Sequence, residues 1–369
     1  MSTAPFEIFL VATPGLETPL AEEARQAGFA EAKAIEGGVG FVGTWEDVWR
    51  ANLVLRGATR ILARIASFRA LHLAQLDKRA RKVEWATFLR PDMAVHVEAS
   101  CKRSRIYHAG AVAQRVANAI AETIGAPISD DATIRVMVRI EDDLVTVSLD
   151  TTGESLHKRG FKEAVNKAPM RETMAAMFLR QCRFTGREPI LDPMCGSGTF
   201  PIEAAEIALG LWPGRSRNFA FQQLPSFDVE AWARIRTPPA LSDPAILFYG
   251  SDRDAGAIRM ASENAERAGV SAHTSFEQKS IEDLTPPPGP PGLVILNPPY
   301  GTRIGTKGPL ISTHRTLGTV LKNRFQGWRV GIITADKQLA QATGLAFEPT
   351  LPPVLHGGIR VALYRTKSL

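Results

Sequence analysis

The chain has 369 residues, 44% of them hydrophobic and 22% charged, which is enough for two or three globular domains with a sizeable core. No apolar run approaches the ~18 residues of a membrane span; the start MSTAPFEIFLVATPG lacks a basic region before its early Pro14-Gly15 break, which argues against a secretion signal; and Cys101, Cys182 and Cys195 are too few and scattered for a disulfide framework or a zinc cluster, fitting a reducing cytoplasm. The net charge of +6 permits a polyanionic partner, and since residues 1–160 carry 20 basic and 20 acidic side chains, the whole excess lies in 161–369.

In chain order, Glu7–Ala12 reads as a strand, and Thr18-Pro19 opens a helix that Gly28 ends. Ala32–Val42 is a hairpin around Gly37-Gly38, and Thr44 with Asp47 forms a capping box for a helix through Leu55. Arg60–Phe68 alternates as a strand does. A second small α/β unit follows: strand Met93–Cys101, amphipathic helix Ala109–Ile124, and a hairpin of Thr133–Ile140 with Leu144–Asp150. Its clustered cations, Lys78, Arg79, Arg81, Lys82 and Lys102, Arg103, Arg105, are candidate phosphate contacts or simply a solvated face.

A different rhythm begins near Thr151. Helix Arg171–Cys182, strand Pro189–Pro193 and a helix from Thr199 to Leu209 come first. Residues 210–244 show no period and read as a long excursion, either a lid or an RNA contact. Strand Ala245–Ser251, helix Ala255–Ala268, strand Ser275–Lys279, strand Leu293–Leu296, helix Leu310–Phe325, strand Val330–Ala335 and strand Arg360–Tyr364 follow. Alternation of this kind predicts a parallel sheet with right-handed crossovers.

Three turns on this framework carry chemistry. LDPMCGSGTFPIEAA (191–205) joins a strand to a helix through Gly196 and Gly198, which permit close backbone approach to a ligand. Pro201 stands where a dinucleotide fingerprint needs its third glycine, and no lysine completes a triphosphate loop. An alternative ligand is the amino-acid end of S-adenosylmethionine. FYGSDRD then offers Asp252 at the end of the next strand, in place to bind ribose hydroxyls. Finally, VILNPPYG ends a buried strand in Asn297-Pro298-Pro299-Tyr300, and proline cannot continue a ladder. The Asn297 side-chain carbonyl and the Pro298 backbone carbonyl can each accept a proton of a conjugated amine, aiming its lone pair at a sulfonium methyl, while Tyr300 stacks on the base. No metal is required by this chemistry.

DPMCGSGT and NPPYG resemble the glycine motif and catalytic loop of class I S-adenosylmethionine-dependent amino-methyltransferases, whose substrates include DNA adenine, RNA guanine and protein glutamine. GESLHKRGFKEAVNKAPMRETMAAMFL (153–179), together with GLE (15–17), EGGVGF (36–41) and SRIYHAGAVAQRVANAI (104–120), is similar to the THUMP-domain-containing RNA guanine-N2 methyltransferases, nearest to their 23S ribosomal RNA branch, with a tRNA branch of the same architecture. The resemblance implies an α/β chain: residues 1–68 a ferredoxin-like segment, 69–152 a THUMP RNA-binding domain, and 153–369 a Rossmann-like class I methyltransferase domain with a seven-stranded, mostly parallel sheet. It implies S-adenosylmethionine as cofactor, held by Pro169, Glu172, Asp192, Pro193, Cys195, Gly196, Ser197, Gly198, Thr199, Asp252, Arg253, Ser280, Ile281 and Asn297. It also implies RNA as partner, ribosomal RNA first and tRNA second, with Lys158 and Arg159 joining the candidate RNA contacts. Two departures stand out. Ser280 occupies a place where the family carries an acid to meet the adenine amine, with Glu282 and Asp283 close by; and the chain ends at Leu369 without the second methyltransferase domain of many ribosomal members, so a second activity is not expected.

The competing readings are a non-catalytic RNA-binding assembly factor with a vestigial fold, and a methyltransferase for DNA or protein. Cys195 is read as small-residue packing, Trp45, Trp49 and Trp85 as core or satellite-cluster residues, His157 as a solvent-facing interdomain contact or a catalytic residue, and His314 as structural.

Overall fold

The computed structural model describes residues 4–163, 170–237, 244–299 and 307–369. Along the chain the elements are β1 (Phe6–Val11), α1 (Glu17–Gln26), β2 (Lys33–Ile35), β3 (Gly38–Gly43), α2 (Trp45–Val54), β4 (Arg60–Arg69), α3 (Leu73–Ala80), α4 (Trp85–Phe88), β5 (Val95–Lys102), α5 (Ala109–Ile124), β6 (Ile134–Glu141) and β7 (Leu144–Asp150). Then come α6 (Glu172–Gln181), β8 (Ile190–Asp192), α7 (Thr199–Leu209), α8 (Val229–Ile235), β9 (Phe248–Asp252), α9 (Ala255–Ala268), β10 (Thr274–Gln278), β11 (Leu293–Leu296), α10 (Lys307–Arg324), β12 (Arg329–Thr334), α11 (Lys337–Ala342), β13 (Val354–His356) and β14 (Ile359–Arg365). Two compact units result: residues 1–12, 21–156 and 217–237 form the first, and 13–20, 157–216 and 238–369 the second.

The first unit is one seven-stranded sheet in the order β2-β3-β1-β4-β7-β6-β5. The ferredoxin-like and THUMP-like halves of the sequence reading therefore share a sheet, joined where β4 pairs antiparallel with β7 from Leu62↔Asp150 to Arg69↔Leu144. Alternation explains the pairing, because Ile134, Val136, Val138 and Ile140 of β6 bury one face of it. The Asp47 carboxylate accepts from both the backbone N–H and the hydroxyl of Thr44, which caps α2 as its spacing predicts. On α2, fully buried Asn52 donates to Thr151 Oγ1 (3.0 Å) and accepts from Thr152 Oγ1 (2.7 Å), and Thr152 Oγ1 also accepts from Ile61 N (2.8 Å). This satisfied polar network fixes α2 to the end of β7.

The excursion 210–244 has an unforeseen place. Its residues 217–237 belong to the first unit, where Phe221 stacks on Trp49 of α2 (ring centroids 6.0 Å) and meets Trp232 edge to face (5.1 Å). Phe227 adds an edge contact to Trp49 at 5.6 Å. Its lack of period follows from burial by aromatic anchors in a 3-10 turn at Ala220–Gln223 and the short α8, neither of which is long enough to show one.

The second unit is a seven-stranded sheet in the order β10-β9-β8-β11-β12-β14-β13. The first five strands run parallel, and β14 is antiparallel to both neighbours. α10 lays Leu317, Val320 and Leu321, with Phe325 just past its end, on Val294, Leu296, Val330 and Ile332, closing one face of the core. Because these five strands are parallel, their carboxyl ends all come out at the same edge.

Trp232→Ala should lower the stability of the first unit by about 3–5 kcal/mol, the range for deleting a buried tryptophan. Val229→Ala, at a side chain 68% exposed, should leave it within about 0.5 kcal/mol. Urea unfolding followed by tryptophan fluorescence checks both, and equal midpoints would refute the anchoring role of the segment.

Candidate active site

Three adjacent parallel strands, β9, β8 and β11, end side by side. Asp192 closes β8 opposite Gly250 of β9, and Leu191 pairs with Val294 of β11 three positions before Asn297. The three sequence motifs thus converge on one edge, where open α/β sheets bind ligands.

The glycine turn is built by close approach. Gly196 and Gly198 have φ of 52° and 83°, left-handed values that suit glycine. A Cβ on Gly198 would lie 3.0 Å from the Ala261 methyl of α9, so the turn can press against that helix only without a side chain. A Cβ on Gly250 would lie 2.7 Å from the Phe276 ring and 3.0 Å from Cys195 Cβ. Cys195 is buried against this spot, and burial followed by the Asp192 and Asp252 charges pushes its thiol well above the ordinary range. It therefore acts as a small packing residue, with no thiolate chemistry.

The Asp252 carboxylate ties two turns together. One oxygen accepts from Gly196 N (3.1 Å) and the other from Asp254 N (3.0 Å). Each oxygen keeps a further acceptor site for a ribose diol. Asp192 is buried, accepts from Met194 N at 3.0 Å, and is pushed up to about 8, by burial first and by the Asp252 charge beside it. A buried carboxyl of this kind calls for a cation, such as the ammonium of an amino acid. Ser197 and Pro193 are buried in the same turn, and Arg253 is exposed.

At the end of β11, Asn297 Oδ1 is buried without a hydrogen-bond partner among the described residues. A buried acceptor left unmatched is costly, and it stands where the motif reading places an incoming amine. Pro298 is buried and Pro299 half-buried. Tyr300 and Pro169 lie outside the described residues. Ser280 donates its hydroxyl to Asp283 Oδ2 at 2.7 Å, so an acid does stand beside it, one turn on past Ile281. Arg324 holds this turn by donating to the carbonyls of Glu282 (2.9 Å) and Leu284 (2.8 Å).

The candidate RNA contacts divide. Lys78, Arg79, Lys82 and Lys158 are exposed. Exposed Arg81 is paired with Asp77 and Glu122, Lys102 with Glu36 and Glu141, Arg103 with Glu141 and Asp142, and Arg105 with Asp143. Such surface pairs hold weakly and can be exchanged for phosphates. Arg159 is the correction. It is only 2% exposed and its guanidinium meets Glu203 of α7 at 3.2 Å, so it braces the helix behind the glycine turn and cannot reach an RNA surface. His157 is half-buried rather than solvent-facing, and burial with cations at Arg171, Lys158, Arg159 and Lys162 pushes it down to about 4. His314 is buried in α10 with Nδ1 2.8 Å from Leu310 O, a structural placement.

The sequence reading missed the residues that brace the turn from behind. Asn264 donates to Ser197 O (3.1 Å), and Arg267 donates to Asn264 Oδ1 (2.5 Å) and to Phe161 O (2.8 Å). Lys162 donates to Thr199 Oγ1 at 2.8 Å and pairs with Glu172. Only the polar positions on the buried side of α9 hinted at Asn264; nothing in the pattern singled out Lys162. Among the described residues no cluster of three histidine, cysteine or acidic side chains could hold a metal.

Comparison with known proteins matches the family model described as RMKL-like, methyltransferase domain, over residues 159–350, and the RlmL ferredoxin-like domain over 7–62. A candidate RNA methyltransferase of Synechocystis sp. is 31% identical over 99% of this chain and 97% of its own length. The ribosomal RNA large subunit methyltransferase K/L of Syntrophotalea carbinolica is 35% identical over 93% of this chain, which spans about half (51%) of that longer relative. Among solved structures, a candidate methyltransferase complexed with S-adenosylhomocysteine superposes with a TM-score of 0.90 at 26% identity, covering 100% of this chain and 99% of its own.

The Asp192 carboxyl sets a pH test. Its folded-state value near 8 lies above the about 4 of an unfolded chain, so the folded state keeps a proton that the unfolded state has lost between those values. Its contribution therefore falls as pH rises from about 4 to about 8 and then levels off. Asp192→Asn removes the effect, and its melting temperature should exceed that of the wild type by a margin that widens over this range. A gap independent of pH would mean that Asp192 is ionised throughout.

Proposed function

This chain belongs to the RMKL-like methyltransferase family, and we propose that it transfers a methyl group from S-adenosylmethionine to the exocyclic N2 amine of a guanosine in large-subunit ribosomal RNA. The observation that carries the reading is the Asn297 Oδ1 at the end of β11, buried and unmatched among the described residues. It is an acceptor held ready beside a turn built for a nucleoside-linked amino acid.

The residues fit the cofactor. Asp192 is a buried carboxyl suited to an ammonium, Asp252 has acceptor capacity left for two hydroxyls, and the Ser280–Asp283 pair supplies an acid for the adenine amine. The glycine turn leaves room for backbone approach along Gly196 and Gly198. When bound, the cofactor supplies an electrophilic sulfonium methyl. Asn297 Oδ1 and the Pro298 carbonyl each accept one amine proton, which orients the nitrogen lone pair toward that methyl, and positioning of this kind carries much of the rate. By its place in the motif, Tyr300 would serve as a stacking platform for a base turned out of its helix.

The first unit supplies the RNA-binding side of the reading, as a ferredoxin-like fold continued by a THUMP-like half. Its exposed Lys78, Arg79 and Lys82 are the phosphate contacts we favour on this unit, and exposed Lys158 is a separate candidate on the second. A cytoplasmic setting agrees with Cys101, Cys182 and Cys195 being free thiols. Among the described residues, no helix is long and apolar enough to cross a membrane.

The deciding experiment incubates the protein with labelled S-adenosylmethionine and separated ribosomal RNA and tRNA from a strain lacking the gene, followed by nucleoside mass spectrometry. N2-methylguanosine in large-subunit RNA is expected. The same product in tRNA alone would move the substrate to the other branch, N6-methyladenosine would overturn the base, and cofactor binding without any product would favour an assembly factor. Asn297→Ala should lower turnover at least about a hundredfold, the scale of one lost preorganised polar contact, with RNA affinity retained. Turnover at the wild-type rate would remove Asn297 from the mechanism.

A further inference from the structure

Lys162 has a place that its sequence context did not announce. It stands three residues past Arg159, on the segment that precedes α6, and its side chain is about nine-tenths buried, as is that of Glu172. Its ammonium has three protons, and three partners stand within reach: Thr199 Oγ1 at 2.8 Å, Met170 O at 3.2 Å and Glu172 Oε1 at 3.0 Å. An ammonium so saturated is fixed in direction and has no donor left for a ligand. Its neighbour Phe161 is held as well, through the Arg267–Asn264 bridge to Ser197 O. Residues 161–162 are therefore pinned to the glycine turn at two points, one on each side of Gly198.

The orientation of the Thr199 hydroxyl follows from this. Thr199 is the first residue of α7, and its oxygen accepts the Lys162 proton. Its own proton must then point away from the ammonium. It becomes a directed donor next to the free N–H groups that open the helix. A cation at a helix N-terminus is unfavourable, and burying it adds a desolvation cost. Glu172 offsets the charge. An outward hydroxyl beside the N–H groups that open the helix suits a carboxylate, while Asp192, on the strand side of the same turn, suits an ammonium. These are the two charges of an amino-acid end.

We infer that Lys162 is a positioning residue that turns the Thr199 hydroxyl into a directed donor for the carboxylate at the amino-acid end of the cofactor. The inference rests on the methyl-donor reading above and adds to it a division of the turn into a hydrogen-bond-donor half at Thr199 and a carboxyl half at Asp192.

The test compares two probes by calorimetry on the full chain: S-adenosylhomocysteine, which carries the amino-acid end, and 5′-methylthioadenosine, which lacks it. Lys162→Met should weaken S-adenosylhomocysteine binding by about tenfold to a hundredfold, the range for a hydrogen bond to a charged group. The affinity for 5′-methylthioadenosine should stay unchanged. Lys162→Arg should restore most of the loss, because a guanidinium can still donate to Thr199. Thr199→Val removes only the hydroxyl and should reproduce the selective loss, which keeps the inference testable if Lys162→Met does not fold. Equal weakening of both probes, or of neither, would overturn the positioning role. Wild-type protein that binds neither probe would overturn the methyl-donor reading itself.

Discussion

The parallel alignment of β9, β8 and β11 is the constraint on which the site depends. Parallel strands end at one edge, so turns far apart in sequence arrive as neighbours. Asp252 and Gly196 are 56 positions apart, yet the carboxylate of one accepts the amide of the other at 3.1 Å. That bond locks two strand-to-helix turns into one surface. It also explains the glycines. Gly250 lets the Cys195 side chain sit against β9, and Gly198 lets the turn touch α9. A methyl group at either place would push apart the surfaces that form the cradle.

Charge is distributed unequally between the two units. In the first, most ion pairs lie on exposed side chains such as Arg81, Lys102 and Arg103, where they contribute little to stability. In the second, Arg159–Glu203 and Lys162–Glu172 are nearly sealed from water, and both pack around α7. Buried pairs are a poor source of stability, because desolvation offsets the attraction. Their value here is directional. Each holds a polar side chain, Arg159 or Lys162, at a set place behind the glycine turn, and under the proposed reading a turn set before its zwitterionic ligand arrives favours binding.

The excursion of residues 217–237 follows a different logic. It leaves the methyltransferase sequence and completes the core of the first unit through Phe221, Phe227 and Trp232 against Trp49. The long gap between the glycine turn and Asp252 is therefore no irregularity of the cofactor-binding sheet. It is a piece of the first unit carried within the second unit's sequence. Its aromatic composition reflects burial, not contact with a base.

Sequence by itself determined the elements whose cause is local. Helix Ala255–Ala268 and strand Leu293–Leu296 match their expected bounds residue for residue, since periodicity and turn residues act over a few positions. It also located the three turns at the ends of β8, β9 and β11, because glycine beside a strand end, an acid after the next strand and a proline stop in a third each mark a strand boundary. Tertiary structure alone decided what lies behind them. Arg159 looked like a surface cation within a basic run, and only the packing of Glu203 beside it shows that it is buried. Lys162 reaches Thr199 across 37 positions, and residues 217–237 find their partners in α2. Contacts of this range depend on how elements pack, and side-chain patterns along the chain carry no record of a partner that arrives from elsewhere.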